Sequence, residues 1–407
     1  MSQIAPKTAA EMGIGQGAEL PRQQRADNQN WTLAPWNRWS FQRVQQFTRT
    51  LRVPRAEVPC ALAQNFQDFG ELVFEDSSGK PCTVNDMLSR TWTDGFLVMH
   101  KGIVLCEQYF NGMGPDTLHL MMSCSKSFTS TLVGIYIEQG VLDPTEHLNT
   151  YIPELLGTGF AGATLQQALD MRVGVKFNED YDDLDADWRL CEVATGWRED
   201  TTYSGPRDMV GYMQTLVESE SGHGDAFHYK SILTDVLGLC LQRATGREFA
   251  ALFYQHIWNP IGAEQDLVSI VDSTGNAVFE GGFNCCLRDF ARFARIICQG
   301  GQYDGQQLVP ATWIDECRFS GTELVSAFAQ SDYGDALPNH AYHNQWWVRD
   351  PELGIIMALG IHGQTLYIAP QREFVVAKFS SQPNQADITM VIDQIRAFEA
   401  IAEKLSG

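Results

Sequence analysis

A chain of 407 residues, 44% hydrophobic and 19% charged, can bury one large core or two packed domains, which excludes a fibrous or largely disordered protein. Its formal net charge of -21 is repelled by phosphate backbones and anionic bilayers, so nucleic acid and membrane surfaces are excluded as partner classes. No run reaches the roughly 18 apolar residues of a membrane span, and the start Met1-Ser2-Gln3-Ile4-Ala5-Pro6-Lys7 lacks the features of an export signal, so a cytoplasmic location is expected.

Residues 1-60 mix Pro, Gln, Arg and Trp without a period, which predicts an extended arm wrapped on the surface. Two apolar runs, 95-99 and 103-110, flank His100-Lys101-Gly102 and predict a β-hairpin. From Ser123, Phe128, Leu132, Val133, Ile135, Tyr136 and Ile137 recur at helical spacing up to Gly140, which predicts an amphipathic helix with Ser123 at its start. Between 142 and 285, helical patterns such as 165-171 and 231-245 alternate with Gly- and Asp-rich loops and few strands. Four strand patterns then follow, 345-348, 354-360, 365-368 and 374-379, and a one-faced helix closes the chain at about 388-405.

Strands near both ends predict one antiparallel sheet flanked by helices, formed from 61-141 and 286-407, with 142-285 inserted as a mostly helical domain. The cleft between them is the expected place for a site. Ten cysteines without a C-x-x-C pair or zinc spacing read as reduced, buried residues.

Ser123-Cys124-Ser125-Lys126 is an S-x-x-K, and a spacing of three on a helix brings the hydroxyl and the amine to one face. Serine is a weak nucleophile alone, and a desolvated lysine can take its proton. The other S-x-x-K, Ser77-Ser78-Gly79-Lys80, runs into Pro81 and cannot open a helix. Hydrolysis also needs a second proton carrier for the leaving group, a Tyr, Ser or His from the helical region, and Phe227-His228-Tyr229-Lys230-Ser231 stands ahead of an apolar helix there. No G-x-S-x-G elbow is present, and His223 and His228 lack a zinc spacing.

With these motifs the sequence resembles the serine β-lactamase and penicillin-binding-protein-like family, of the class C β-lactamase and family VIII esterase type. It carries Ser231 where those enzymes have the Asn of Y-x-N, and Ala358 where the K-T-G strand has Lys. The resemblance is strongest to the 6-aminohexanoate-dimer hydrolases, through Ser123-Cys124-Ser125-Lys126, Phe227-His228-Tyr229, Gln345-Trp346-Trp347 and Gly360-Ile361-His362-Gly363-Gln364, over about 85-400. It implies an α/β fold of the β-lactamase/transpeptidase type. It also implies an acyl-enzyme mechanism in which Ser123, Lys126 and Tyr229 act on a small ester or linear amide, and the N–H groups of Ser123 and Ile361, after Gly360, bind the oxyanion.

On the same grounds Tyr181 closes over substrate and Trp346 lines the acyl pocket, while His362 is a further substrate contact with a structural role as its alternative. A carboxylate among Asp180, Asp182, Asp183, Asp185, Asp187 and Glu192 is expected to hold a substrate ammonium in enzymes that cut amides well. The resemblance implies a homodimer, no metal and no cofactor. The alternatives are a weak β-lactamase, an acyltransferase, or a non-catalytic binding module on the same fold.

Overall fold

Strands are dictated where β-branched and aromatic residues alternate between turns, and in the computed structural model they assemble into a seven-stranded and a four-stranded antiparallel sheet, with two two-stranded ribbons beside them. The structure is described for residues 5-181, 183 and 185-406. In chain order the elements that matter are β1 (Thr50–Val53), β2 (Thr93–His100), β3 (Ile103–Tyr109), β4 (His119–Leu120), α1 (Cys124–Glu138), α2 (Ile232–Thr245), β5 (Leu267–Ile270) and β6 (Phe283–Cys285). They continue with α3 (Leu287–Cys298), β7 (Ala341–His343), β8 (Trp346–Asp350), β9 (Ile355–Gly360), β10 (Gln364–Ala369), β11 (Phe374–Ser380) and α4 (Ile388–Ser406).

The larger sheet has the order β7-β8-β9-β10-β11-β2-β3, so the two ends of the chain meet where Val376 of β11 pairs with Val98 of β2. Lys101 and Gly102, both at positive φ, make the tight β2–β3 turn. Helices cover both faces. On one, Phe290 of α3 stacks on Phe379, and on the other Phe398 of α4 packs against Phe96 and Tyr367.

The structure departs from the expectations in three places. From residue 5 onward the segment expected as a surface arm over 1-60 is no such arm: Trp31, Phe41, Val44 and Val53 are core residues, and Arg38 donates to the fully buried Asp94 at 2.9 Å. Its aromatic residues have too much apolar surface to leave in water. The region 142-285 also contributes β5 and β6, which join β1 and β4 in a four-stranded sheet of order β1-β5-β6-β4. These strands are too short, and too buried on both faces, to give an alternating pattern. Finally, α1 is buried from Cys124 to Tyr136 on every side rather than amphipathic. Its hydroxyls are satisfied internally, as when Thr131 donates to the Ser127 carbonyl and Ser127 to that of Gln345.

Among the described residues no helix is long and apolar enough to cross a membrane. All ten cysteines are unpaired.

Gly134 measures how tightly α1 is enclosed, because a Cβ there would meet the Trp313 ring at 2.2 Å. Alanine is the better helix former by about 1 kcal/mol, but overpacking costs up to about 3 kcal/mol. Gly134→Ala is therefore expected to lower stability by about 2 kcal/mol, read as a drop in the urea midpoint at unchanged slope.

Candidate active site

The turn that delivers Ser123 is constrained before any side chain is considered. Met122, immediately before it, is held at φ 48, a left-handed value that a methionine adopts only when its surroundings fix it. Gly360, the last residue of β9, lies against that turn: a Cβ would sit 2.8 Å from the Met121 carbonyl and 3.0 Å from the Met122 Cβ. This close approach brings Ile361 beside Ser123 at the rim of one cavity of about 310 Å³.

The Lys126 ammonium donates to Ser123 Oγ at 2.9 Å and to the Glu280 carbonyl at 2.7 Å, and lies 3.4 Å from Glu280 Oε2. Only 1% of its side chain is exposed. The Tyr229 ring centroid is 5.2 Å from Nζ. Burial pushes the Tyr229 phenol well above the usual range, the neighbouring Tyr342 and Glu179 add to this, and its hydrogen bond with Ser123 pulls the other way. A serine hydroxyl, a lysine and a protonated phenol thus share one contact set, which can move a proton between an attacking oxygen and a leaving group.

Tyr181 reaches the cavity, as expected, and donates from its phenol to Glu179 Oε1 at 2.9 Å. Its loop is braced by Arg189, which donates to the Tyr181 carbonyl at 2.8 Å, and by an edge contact with Trp188. Two other expectations are corrected. Trp346 does not line the pocket: it is 1% exposed and stacks on Phe293 of α3, on the opposite side of β8. Strand alternation hands the pocket position to Trp347, which stacks on Tyr229 with ring centroids 5.5 Å apart.

His362 is no substrate contact either. It lies buried at φ 61, and its Nδ1–H donates to the Gln382 carbonyl at 2.7 Å, fixing a segment whose Gln382 and Gln385 line the cavity. Burial lowers its pKa to about 4, so the ring is neutral.

Of the acidic candidates, Asp182 lies outside the described residues. Glu192 is buried and held by Arg189 at 3.2 Å and Arg198 at 3.3 Å, so its charge is already matched. Asp183 and Asp187 both accept from Asn178. The motifs did not flag Glu280, which meets Lys126, or Glu179, which bonds Tyr181 and Ser231 beside the cavity. His223 accepts the Gly174 N–H and His228 pairs with Glu220, so each has a separate local partner. Cys124, beside the serine, donates to the Ala358 carbonyl at 3.4 Å, and burial pushes its thiol up.

A model of the Beta-lactamase family matches residues 90-397. A 6-aminohexanoate-dimer hydrolase of Paenarthrobacter ureafaciens is 34% identical over 356 residues, which cover 87% of this chain and 88% of that protein. A solved structure from Bacillus anthracis, provisionally named 6-aminohexanoate-dimer hydrolase, superposes with a TM-score of 0.86 at 28% identity, covering 95% of this chain and 99% of that one. That coverage takes in much of the first 84 residues, so the likeness reaches beyond 85-400. A family VIII carboxylesterase shares the fold, with a TM-score of 0.53 at 16% identity over 76% of this chain and 92% of its own.

Two pairs of variants separate packing from chemistry. Trp346→Ala is expected to cost about 4 kcal/mol of stability with KM unchanged. Trp347→Ala is expected to raise KM for an acyl ester roughly tenfold. Lys126→Ala leaves the Glu280 carboxylate without its cation and is expected to lose about 3 kcal/mol. Adding Glu280→Gln should recover most of that loss without recovering turnover, and chemical denaturation of the three proteins would check this.

Proposed function

The chain belongs to the Beta-lactamase family, and from that premise we propose that it hydrolyses small esters and linear amides through an acyl-enzyme on Ser123. It is a serine hydrolase acting on amide or ester carbonyls. The observation that carries the finer reading is the 2.9 Å contact from Lys126 to Ser123 at the start of α1, inside a cavity that Ile361 also lines.

In this reading Lys126 acts from its amine form: Ser123 Oγ attacks the carbonyl carbon while its proton passes to Lys126 Nζ, and Lys126 returns that proton to Tyr229 as the phenol gives up its own. The N–H groups of Ser123 and Ile361 receive the oxyanion, each worth about 3 kcal/mol. Tyr229, which burial keeps protonated, delivers a proton to the departing alcohol or amine. Water then enters along the reverse path and frees the acid. No step calls on a metal or a cofactor.

The cavity supports the substrate class. Its volume of about 310 Å³ is at the small end for a ligand pocket, and Tyr181, Tyr229, Tyr333, Leu337, Trp347 and Val391 give it apolar walls. A short acyl chain suits it better than a bulky bicyclic one. Asp332 and Asp387 line it as well and suit a substrate with an amino end. A cytoplasmic location and a homodimer belong to the same reading, by analogy with the branch the sequence resembles.

Intact-mass spectrometry after fluorophosphonate treatment is expected to show one adduct on the wild-type protein and none on Ser123→Ala, with p-nitrophenyl butyrate turnover lost in the variant. An adduct elsewhere sinks the assignment. The ester is expected to be cut faster than a linear 6-aminohexanoate dimer, because it needs less leaving-group protonation. A chromogenic cephalosporin should be slower than the ester, since Ala358 offers its carboxylate no cation. Parallel initial rates on the three substrates decide both points.

A further inference from the structure

Glu179 stands at the junction of the two pocket tyrosines. Its Oε1 accepts from the Tyr181 phenol at 2.9 Å and from the Ser231 hydroxyl at 2.5 Å, while Oε2 accepts the Ser231 backbone N–H at 2.5 Å. Ser231 immediately precedes α2 and lies two residues after Tyr229. One carboxylate therefore joins a loop tyrosine that covers the cavity to the helix start that carries the other tyrosine.

We propose that Glu179 is a latch: its carboxylate holds the Tyr181 ring over the acyl cavity by tying the 178-181 loop to the start of α2. The proposal rests on the reading of this cavity as the acyl pocket of Ser123. Glu179 touches no reacting atom in it and is a positioning residue. All three of its partners are neutral donors, so the bonds are charge-assisted, a kind roughly twice as strong as neutral ones. Among the described residues, Tyr181 is also held by the Arg189 bond to its carbonyl and by the edge contact with Trp188, neither of which fixes the phenol. Without the carboxylate the ring is free to swing out, and the substrate loses one wall of its site. The loss falls on binding rather than on the chemical step.

The test is a double-mutant cycle on p-nitrophenyl butyrate hydrolysis. Glu179→Ala is expected to raise KM roughly tenfold, the loss of about one charge-assisted bond, with kcat changed less than threefold. Tyr181→Phe is expected to raise KM in the same direction, and the double variant should be no worse than Glu179→Ala within twofold. Glu179→Gln keeps the shape but turns an N–H toward the Ser231 N–H or its hydroxyl, so it should also raise KM; it carries the test if the alanine variant fails to fold. Multiplying effects in the cycle, a fall in kcat at constant KM, or a glutamine variant with wild-type KM overturns the latch. Stoichiometric fluorophosphonate labelling of Ser123 in every variant keeps this outcome separate from the nucleophile assignment: labelling lost in the wild type as well would fault the site itself.

Discussion

The whole site depends on one close approach, that of the end of β9 to the turn before α1. Gly360 has no room for a side chain because the Met121 carbonyl and Met122 side chain already fill the place where one would go. The approach puts Ile361 and Ser123 on the wall of one cavity, as the proposed pair of oxyanion donors requires. The approach in turn needs β9 and α1 to be fixed independently. β9 is fixed by the sheet that the two chain ends build together through Val376 and Val98, and α1 by burial on all sides. A local motif is thereby made rigid by contacts between distant parts of the sequence.

Lys126 is the second constraint, because an ammonium 1% exposed costs several kcal/mol to bury unless it is matched. It finds the carbonyl and carboxylate of Glu280, 154 residues away. That residue is positioned by α2: Asp235 Oδ1 accepts the backbone N–H groups of Phe279 and Glu280 at 2.8 and 3.1 Å. Asp235 is itself pushed well above the usual carboxylate range by burial and by the nearby Glu280 charge. The same helix begins just after Tyr229 and Ser231. One rigid element therefore sets the phenol, the lysine's counter-charge and the anchor of the Tyr181 loop, so their spacing survives motion of the loop itself.

Residues whose role is local could be read from the sequence. Ser123 and Lys126 share a helix at a spacing of three, so periodicity brought them to one place. Tyr229 and Gly360 were picked out by the likeness of their motifs to those of the family. What escaped was phase and distance. Gln345-Trp346-Trp347 names two indoles, and only the register of β8 tells which one faces the cavity. Glu179 sits in an acidic loop where neighbouring carboxylates look alike, and what distinguishes it is Ser231, 52 residues later. The four-stranded sheet was invisible because its strands are short and buried on both faces. The first 60 residues carried the apolar surface of a core segment, but irregular spacing concealed it.

The two buried carboxylates of the Tyr181 region show how environment, rather than residue type, assigns a role. Glu192 faces Arg189 and Arg198 and is neutralised within its own fold, so nothing remains for it to attract. Glu179 faces hydroxyls, a backbone N–H and, at longer range, Lys126; burial raises its pKa, and the Lys126 charge and the Ser231 bonds oppose that rise. With Glu280 also present, the single lysine beside Ser123 is met by two acidic side chains. An anionic substrate entering this cleft would be repelled by that surplus, whereas a neutral ester or a chain ending in an ammonium group would not. The absence of a lysine at 358 removes the remaining cation that could have offset the balance on the β9 side. On the proposed reading, the substrate preference of the site is written less in its nucleophile, which is generic, than in the sign of the charge that surrounds it.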